Sequence, residues 1–241
     1  MIEEIKPIII LGAPGGGTSY FTKFLRRCNF YAGKSIEQGR GKVNHIGWLG
    51  ARKWHESVTI SKQVTKPIVE QMGISHDSIV NPNIGPQYYK QVKKIIDNVS
   101  PAFFQELIDT NIKSLRAIFN EEFDVRNVPY GWKDPRNVYL LRFWKMLFPH
   151  AKYLTVVRYR NIQPSRMGTE GQNFAVHAGD EDFRDLFYSH DDDFRFIFEN
   201  FASLDKVNEL LTWMGYENLT QGELTAVLKD TKFQYSKIRM K

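Results

Sequence analysis

Residues 7–19 read PIIILGAPGGGTS, and the fold turns on how this stretch is read. Its first five residues are short, β-branched and apolar, with no polar alternation. That pattern suits a strand buried on both faces of a parallel sheet. Glycines follow at once. Residues 18–27 then read as a helix, because Phe21, Phe24, Leu25 and Cys28 recur near i, i+3, i+4 and i+7 and form one apolar face. A glycine loop between strand and helix offers backbone N–H groups with no Cβ in the way. The helix start adds its unpaired N–H groups and positive dipole end, and Thr18 and Ser19 add hydroxyl donors. Gly12 to Ser19 is therefore a candidate phosphate or other anion site.

Working outward, residues 34–85 are rich in Gly, Lys and His with weak periodicity, and read as loops and short helices. Residues 86–99 read as a helix with Pro86 in its first turn. Ser100 and Pro101 open a stronger helix reaching about residue 123, with Ser100 as its N-cap. Residues 128–132 form a short strand candidate. Asp134 and Pro135 then start a helix whose apolar stripe is Leu140, Leu141, Trp144 and Leu147, ended by Pro149. Residues 152–157 (KYLTVV) are a second buried-strand candidate, with Arg158 at the C-terminal end. Asp191, Asp192 and Asp193 are read as the cap of one long helix running to Met214, and a last helix covers residues 220–229. Strand–loop–helix followed by further strand–helix units predicts an α/β fold. The expected form is a central parallel sheet flanked by helices, a P-loop-like three-layer sandwich in one domain over residues 1–241. Residues 34–127 are its loop and helical insertion, shaping the acceptor side. Ligands in such sheets bind at the C-terminal ends of the strands.

The bulk composition bounds the function class. The 241 residues are 42% hydrophobic, enough for a core, and carry a formal charge of +6, which favours anionic partners. No stretch is long and apolar enough to span a bilayer, and the start lacks the basic and apolar pattern of a signal peptide. Cys28 is the single cysteine. A cytoplasmic protein is expected, with no membrane partner. The basic residues form no stripe interleaved with aromatics, so no nucleic-acid partner is expected. Oligomeric state is left open.

The loop fits the frame GxxxxGK[ST] from Gly12 to Gly17, but Thr18 stands where a nucleoside-triphosphate enzyme has its lysine. A P-loop frame with Gly17-Thr18-Ser19 after Pro14 resembles the nucleotide loop of sulfotransferases. In that family a [KR]-S-G-T-[ST] segment wraps the 5′-phosphosulfate of 3′-phosphoadenosine 5′-phosphosulfate (PAPS). The resemblance extends to Trp132-Lys133-Asp134-Pro135-Arg136. It continues through Phe148-Pro149-His150-Ala151-Lys152 and the strand ending in Arg158. It implies a nucleotide site made of Pro14, Gly15, Gly16, Gly17, Thr18 and Ser19, with Arg158 and Ser165 holding the 3′-phosphate. It further implies PAPS as donor, 3′-phosphoadenosine 5′-phosphate (PAP) as product, no metal, and a small-molecule or glycan acceptor. The chain departs from the pattern at Gly15, where the family has a basic residue, and at Gly16, where it has serine.

With Gly15 neutral, another cation must meet the charge that develops on the leaving phosphate. Lys133, at a predicted strand end on the same sheet edge, is the first candidate and Arg136 the second. Asp134 is read as spent on capping its helix. Glu37 and His45 are the candidates for a general base on the acceptor hydroxyl. Three readings stay open: a PAPS-dependent sulfotransferase, a degenerate PAP- or PAPS-binding protein without turnover, and a P-loop nucleotide kinase.

Overall fold

The computed structural model describes residues 1–13, 16–33, 57–75, 86–123, 128–158, 181–188 and 190–230. Four strands form one all-parallel sheet: β1 (Ile8–Leu11), β2 (Gly131–Lys133), β3 (Lys152–Val157) and β4 (Phe194–Ile197), in the spatial order β2-β1-β3-β4. Ile8 is in register with Gly131 on one side and Lys152 on the other. Leu154 is in register with Phe194. Tyr31 bridges Tyr130 in parallel beyond β2, extending that edge by one rung.

The absence of alternation in PIIIL has a direct structural cause. Ile9 and Leu11 point into one core with Trp132, Tyr153 and Val157. Ile8 and Ile10 point into the other with Leu154, Val156 and Phe196. Both faces are buried, so both parities must be apolar.

The second face is covered by α1 (Thr18–Arg27), α8 (Leu204–Met214) and α9 (Gln221–Asp230), the first through Phe21, Phe24 and Leu25. The first face carries a larger helical layer. It contains α2 (Val58–Ile60), a π-helical turn (Ser61–Thr65), α3 (Lys66–Gln71), α4 (Pro86–Asn98) and α5 (Pro101–Glu122), then α6 (Leu141–Leu147) and α7 (Glu181–Tyr188). The chain is thus an α/β three-layer sandwich. The Ser100 side chain accepts a hydrogen bond from the Phe103 N–H (3.2 Å) with Pro101 in the first turn, and starts α5. This helix meets the sheet through Phe119, whose ring packs edge-on to Phe148 (4.7 Å) and tilted on Trp132 (5.5 Å). No helix among the described residues is long and apolar enough to cross a membrane.

Two expectations are corrected. Asp191, Asp192 and Asp193 do not cap a long helix, because β4 and a 3₁₀ turn (Phe198–Ala202) intervene before α8. The Asp193 N–H donates to the Tyr153 carbonyl (2.9 Å) while its Oδ2 accepts from the Tyr153 N–H (2.7 Å), which starts the pairing of β4 with β3. Helix α8 begins instead at Ser203, whose hydroxyl accepts from the Lys206 N–H, and ends at Gly215 with φ 86°. The second correction lies after β2. Pro135–Val138 is a 3₁₀ turn, and the α-helix starts only at Leu141.

Candidate functional site

Parallel strands place all their C-terminal ends on one edge, and the predicted site residues that are described gather there. Gly12 leaves β1 with φ 143°. A Cβ at Gly12 would lie 2.7 Å from the Val156 carbonyl oxygen of β3 and 2.8 Å from the Thr18 methyl, so only glycine lets the loop pass this close to its neighbour strand. The Gly16 N–H closes a tight turn onto the Ala13 carbonyl (3.0 Å).

Gly17 is the N-cap of α1, in the left-handed region at φ 91°. It has no side chain to satisfy the first N–H groups of the helix, and the first turn holds no acidic residue. The start of α1 therefore keeps its full positive end, pointed at the loop. Thr18 is buried, Ser19 is half-buried and Tyr20 is exposed. The Thr22 hydroxyl donates to the Thr18 carbonyl (2.8 Å) and holds that first turn in place.

The other strands bring cations to the same edge. Lys133 is the last residue of β2, in register with Ile10 of β1, and is only 3% exposed. Three residues on, Arg136 is also 3% exposed, and its charge is committed. Its Nε donates to Asp134 Oδ1 (2.7 Å), and its Nη2 donates to Asp134 Oδ2 (2.5 Å) and Ser61 Oγ (2.6 Å). Asp134 also accepts from the Arg136 N–H (2.9 Å), capping the 3₁₀ turn. This knot ties the end of β2 to the π-helical turn.

Arg158 follows β3 directly and is environed quite differently. Its guanidinium carbon lies 4.5 Å from the centroid of the Phe198 ring, which begins the turn after β4. Its Nε is buried and makes no hydrogen bond among the described residues. Burial pulls its pKa down to about 10, while Glu199, Tyr188 and Tyr20 hold it up electrostatically. An orphaned buried N–H on a charged group is costly and asks for an acceptor. The same Phe198 ring lies under the glycine loop: a methyl at Gly17 would run into it. Tyr188 completes the wall, its hydroxyl 3.3 Å from where a Gly16 Cβ would stand.

The structure thus brings together Gly16, Gly17, Thr18, Ser19, Lys133 and Arg158 on one sheet edge. Pro14, Gly15, Glu37, His45 and Ser165 lie outside the described residues. Phe198, Glu199, Tyr188 and Tyr20 were not anticipated. Phe198 and Glu199 were hidden because the segment carrying them was read as helix; the exposed tyrosine directly after Gly17-Thr18-Ser19 was a signal open to reading. Among the described residues no group of three or more His, Cys, Asp or Glu side chains is placed to hold a metal ion.

What the arrangement can do is bind a polyanion at two points. The uncapped start of α1 and the glycine-loop N–H groups offer one point, and the Arg158 guanidinium offers a second one strand away. Comparison of the sequence with protein-family models finds no matching family, and comparison with curated proteins finds no match.

Proposed function

We propose that this protein is a sulfotransferase that moves a sulfuryl group from PAPS to a hydroxyl or amine of a small-molecule or glycan acceptor, leaving PAP. The observation that carries the reading is Arg158: a half-buried arginine whose buried Nε meets no acceptor among the described residues, one strand away from a glycine loop and a helix start without a side-chain cap. A nucleotide with phosphates on both its 5′ and 3′ oxygens has the two separated anions that such a pair of donors fits. The donor supplies an already activated sulfuryl group, so the chain's task is to position and to stabilise charge.

The residues divide that task. The N–H groups at Gly17 and the first turn of α1 bind the 5′-phosphate end. Arg158, with Ser165, holds the 3′-phosphate and fixes the nucleotide's register. Lys133, buried at the end of β2, supplies positive charge beside the loop where Gly15 brings none. Glu37 or His45 accepts the proton of the acceptor hydroxyl.

Gly15 favours a second reading, in which the protein binds PAP or PAPS without turnover. A nucleotide kinase fits less well. Thr18 replaces the phosphate-binding lysine, and the carboxylate directly after β2, Asp134, is occupied by Arg136 rather than open to Mg²⁺.

Calorimetric titration with PAP, beside ATP plus Mg²⁺, tests the reading. Micromolar PAP binding with little ATP binding is expected; absence of PAP binding would sink it. Turnover of PAPS separates enzyme from relic, and Gly15→Lys should raise PAPS hydrolysis if the missing cation limits the reaction.

A further inference from the structure

Among the described residues the Arg158 Nε meets no carboxylate, and the Phe198 ring is the group placed against the guanidinium. It lies with its face 4.5 Å from the guanidinium carbon and with its edge against Gly17. It is 3% exposed, and Phe201 packs edge-on to it at 5.4 Å, so it cannot swing away. We infer that Phe198 is a positioning residue of the anion site, a buried ring on which both the Arg158 guanidinium and the glycine loop rest, and that it couples the two phosphate-binding points. The inference rests on the nucleotide reading above and extends it to a residue that touches no ligand.

The physical basis is the directionality of the contact. A guanidinium stacked on an aromatic face keeps its N–H fork in the ring plane's direction, free to bind an anion, whereas a carboxylate partner would consume the fork. The same ring limits how far Gly17, at φ 91°, can move. Loop and arginine therefore share one rigid support. Replacing the ring with an aliphatic chain of similar bulk keeps the apolar filling and removes the π face.

The test compares the wild type, Phe198→Leu, Arg158→Ala and the double variant, each titrated with PAP and with adenosine 5′-phosphate. Phe198→Leu is expected to weaken PAP roughly 2- to 30-fold, the range of a stacked cation, with a smaller effect on adenosine 5′-phosphate. In the Arg158→Ala background the same substitution should cost PAP only the smaller loss seen with adenosine 5′-phosphate, because the loop is then all that the ring still supports. Equal losses in both backgrounds, or equal PAP affinity of wild type and Phe198→Leu, would overturn the positioning role while the nucleotide reading stood. No PAP binding by the wild type would overturn both. An arm that needs no variant is the ¹H–¹⁵N signal of Arg158 Nε, expected upfield from the ring current of Phe198; an unshifted signal overturns the stacking.

Discussion

The ends of β2 and β3 carry one arginine each, and the two are handled in opposite ways. Arg136 is buried against Asp134 and Ser61, with hydrogen bonds of 2.5 to 2.7 Å satisfying its fork. Arg158 is half-buried against an aromatic face, with a buried Nε that finds no acceptor among the described residues. Taking a guanidinium out of water is expensive in both places. At the end of β2 the fold compensates the charge internally, so the arginine serves structure. At the end of β3 Glu199 supports the charge electrostatically, but the Nε meets no acceptor among the described residues, which leaves that N–H to pair with an anion. The pair shows why a strand-end arginine is not by itself a site: what separates them is the partner.

The comparison breaks most directly at Arg136. Arg136→Ala leaves the 1%-exposed Asp134 carboxylate buried without its counter-ion. A loss of about 3–5 kcal/mol in unfolding free energy is expected, read by urea denaturation at pH 7. If the variant is as stable as wild type, the knot is not structural and the contrast fails.

Gly17→Ala tests the support under the other arginine. It forces an L residue to φ 91° and drives a methyl into the Phe198 ring. The left-handed backbone and the overpacking together should cost about 2–4 kcal/mol. The same denaturation experiment reads it, and the contrast is sharpened if PAP affinity falls with it.

How much of this was legible in advance follows from which physical signals are local. The unbroken apolar runs at residues 7–11 and 152–157 report burial on both sheet faces, and they became β1 and β3. Ser100-Pro101 is a self-contained helix start and behaved as one. Strand β4 was missed for a stated reason. Phe194, Ile197, Phe198 and Phe201 fall at i, i+3, i+4 and i+7, so four strand residues and the turn after them mimic one helix face. Only pairing with β3, a long-range fact, resolves the ambiguity. The two arginines are a second case. Each follows a strand end in the sequence, and nothing local says that Arg136 meets Ser61, 75 residues away. Lys133 was placed at a strand end, but its near-complete burial also depends on packing that the spacing does not encode.

Arg158→Ala tests the site half of the comparison. If the guanidinium holds the 3′-phosphate, its loss should weaken PAP by about 1.5–3 kcal/mol, the worth of hydrogen bonds to a charged group. Adenosine 5′-phosphate, which lacks that phosphate, should lose far less. Equal losses for both nucleotides would remove Arg158 from the 3′-phosphate and return it to a merely local role.

The smallest effect is also the one in which the two arginines should differ in sign. Arg158→Met keeps an apolar chain against Phe198 and removes a charge whose burial opposes folding. At pH 7 the group is charged both folded and unfolded, so the cost of burying it is fully present. Its folded pKa of about 10 lies below the ordinary arginine value. The unfolded chain therefore binds more protons between those values, and the wild type gains stability as pH rises through that window. Arg158→Met lacks that gain. At pH 7 it should lie within about 1 kcal/mol of wild type, on the stable side if desolvation outweighs the lost stacking. The gap should then shift in favour of wild type toward pH 11, measured by urea unfolding of both proteins at the two pH values. A loss at pH 7 as large as that of Arg136→Ala would mean that Arg158, too, is compensated from within, and that the end of β3 holds structure rather than a ligand.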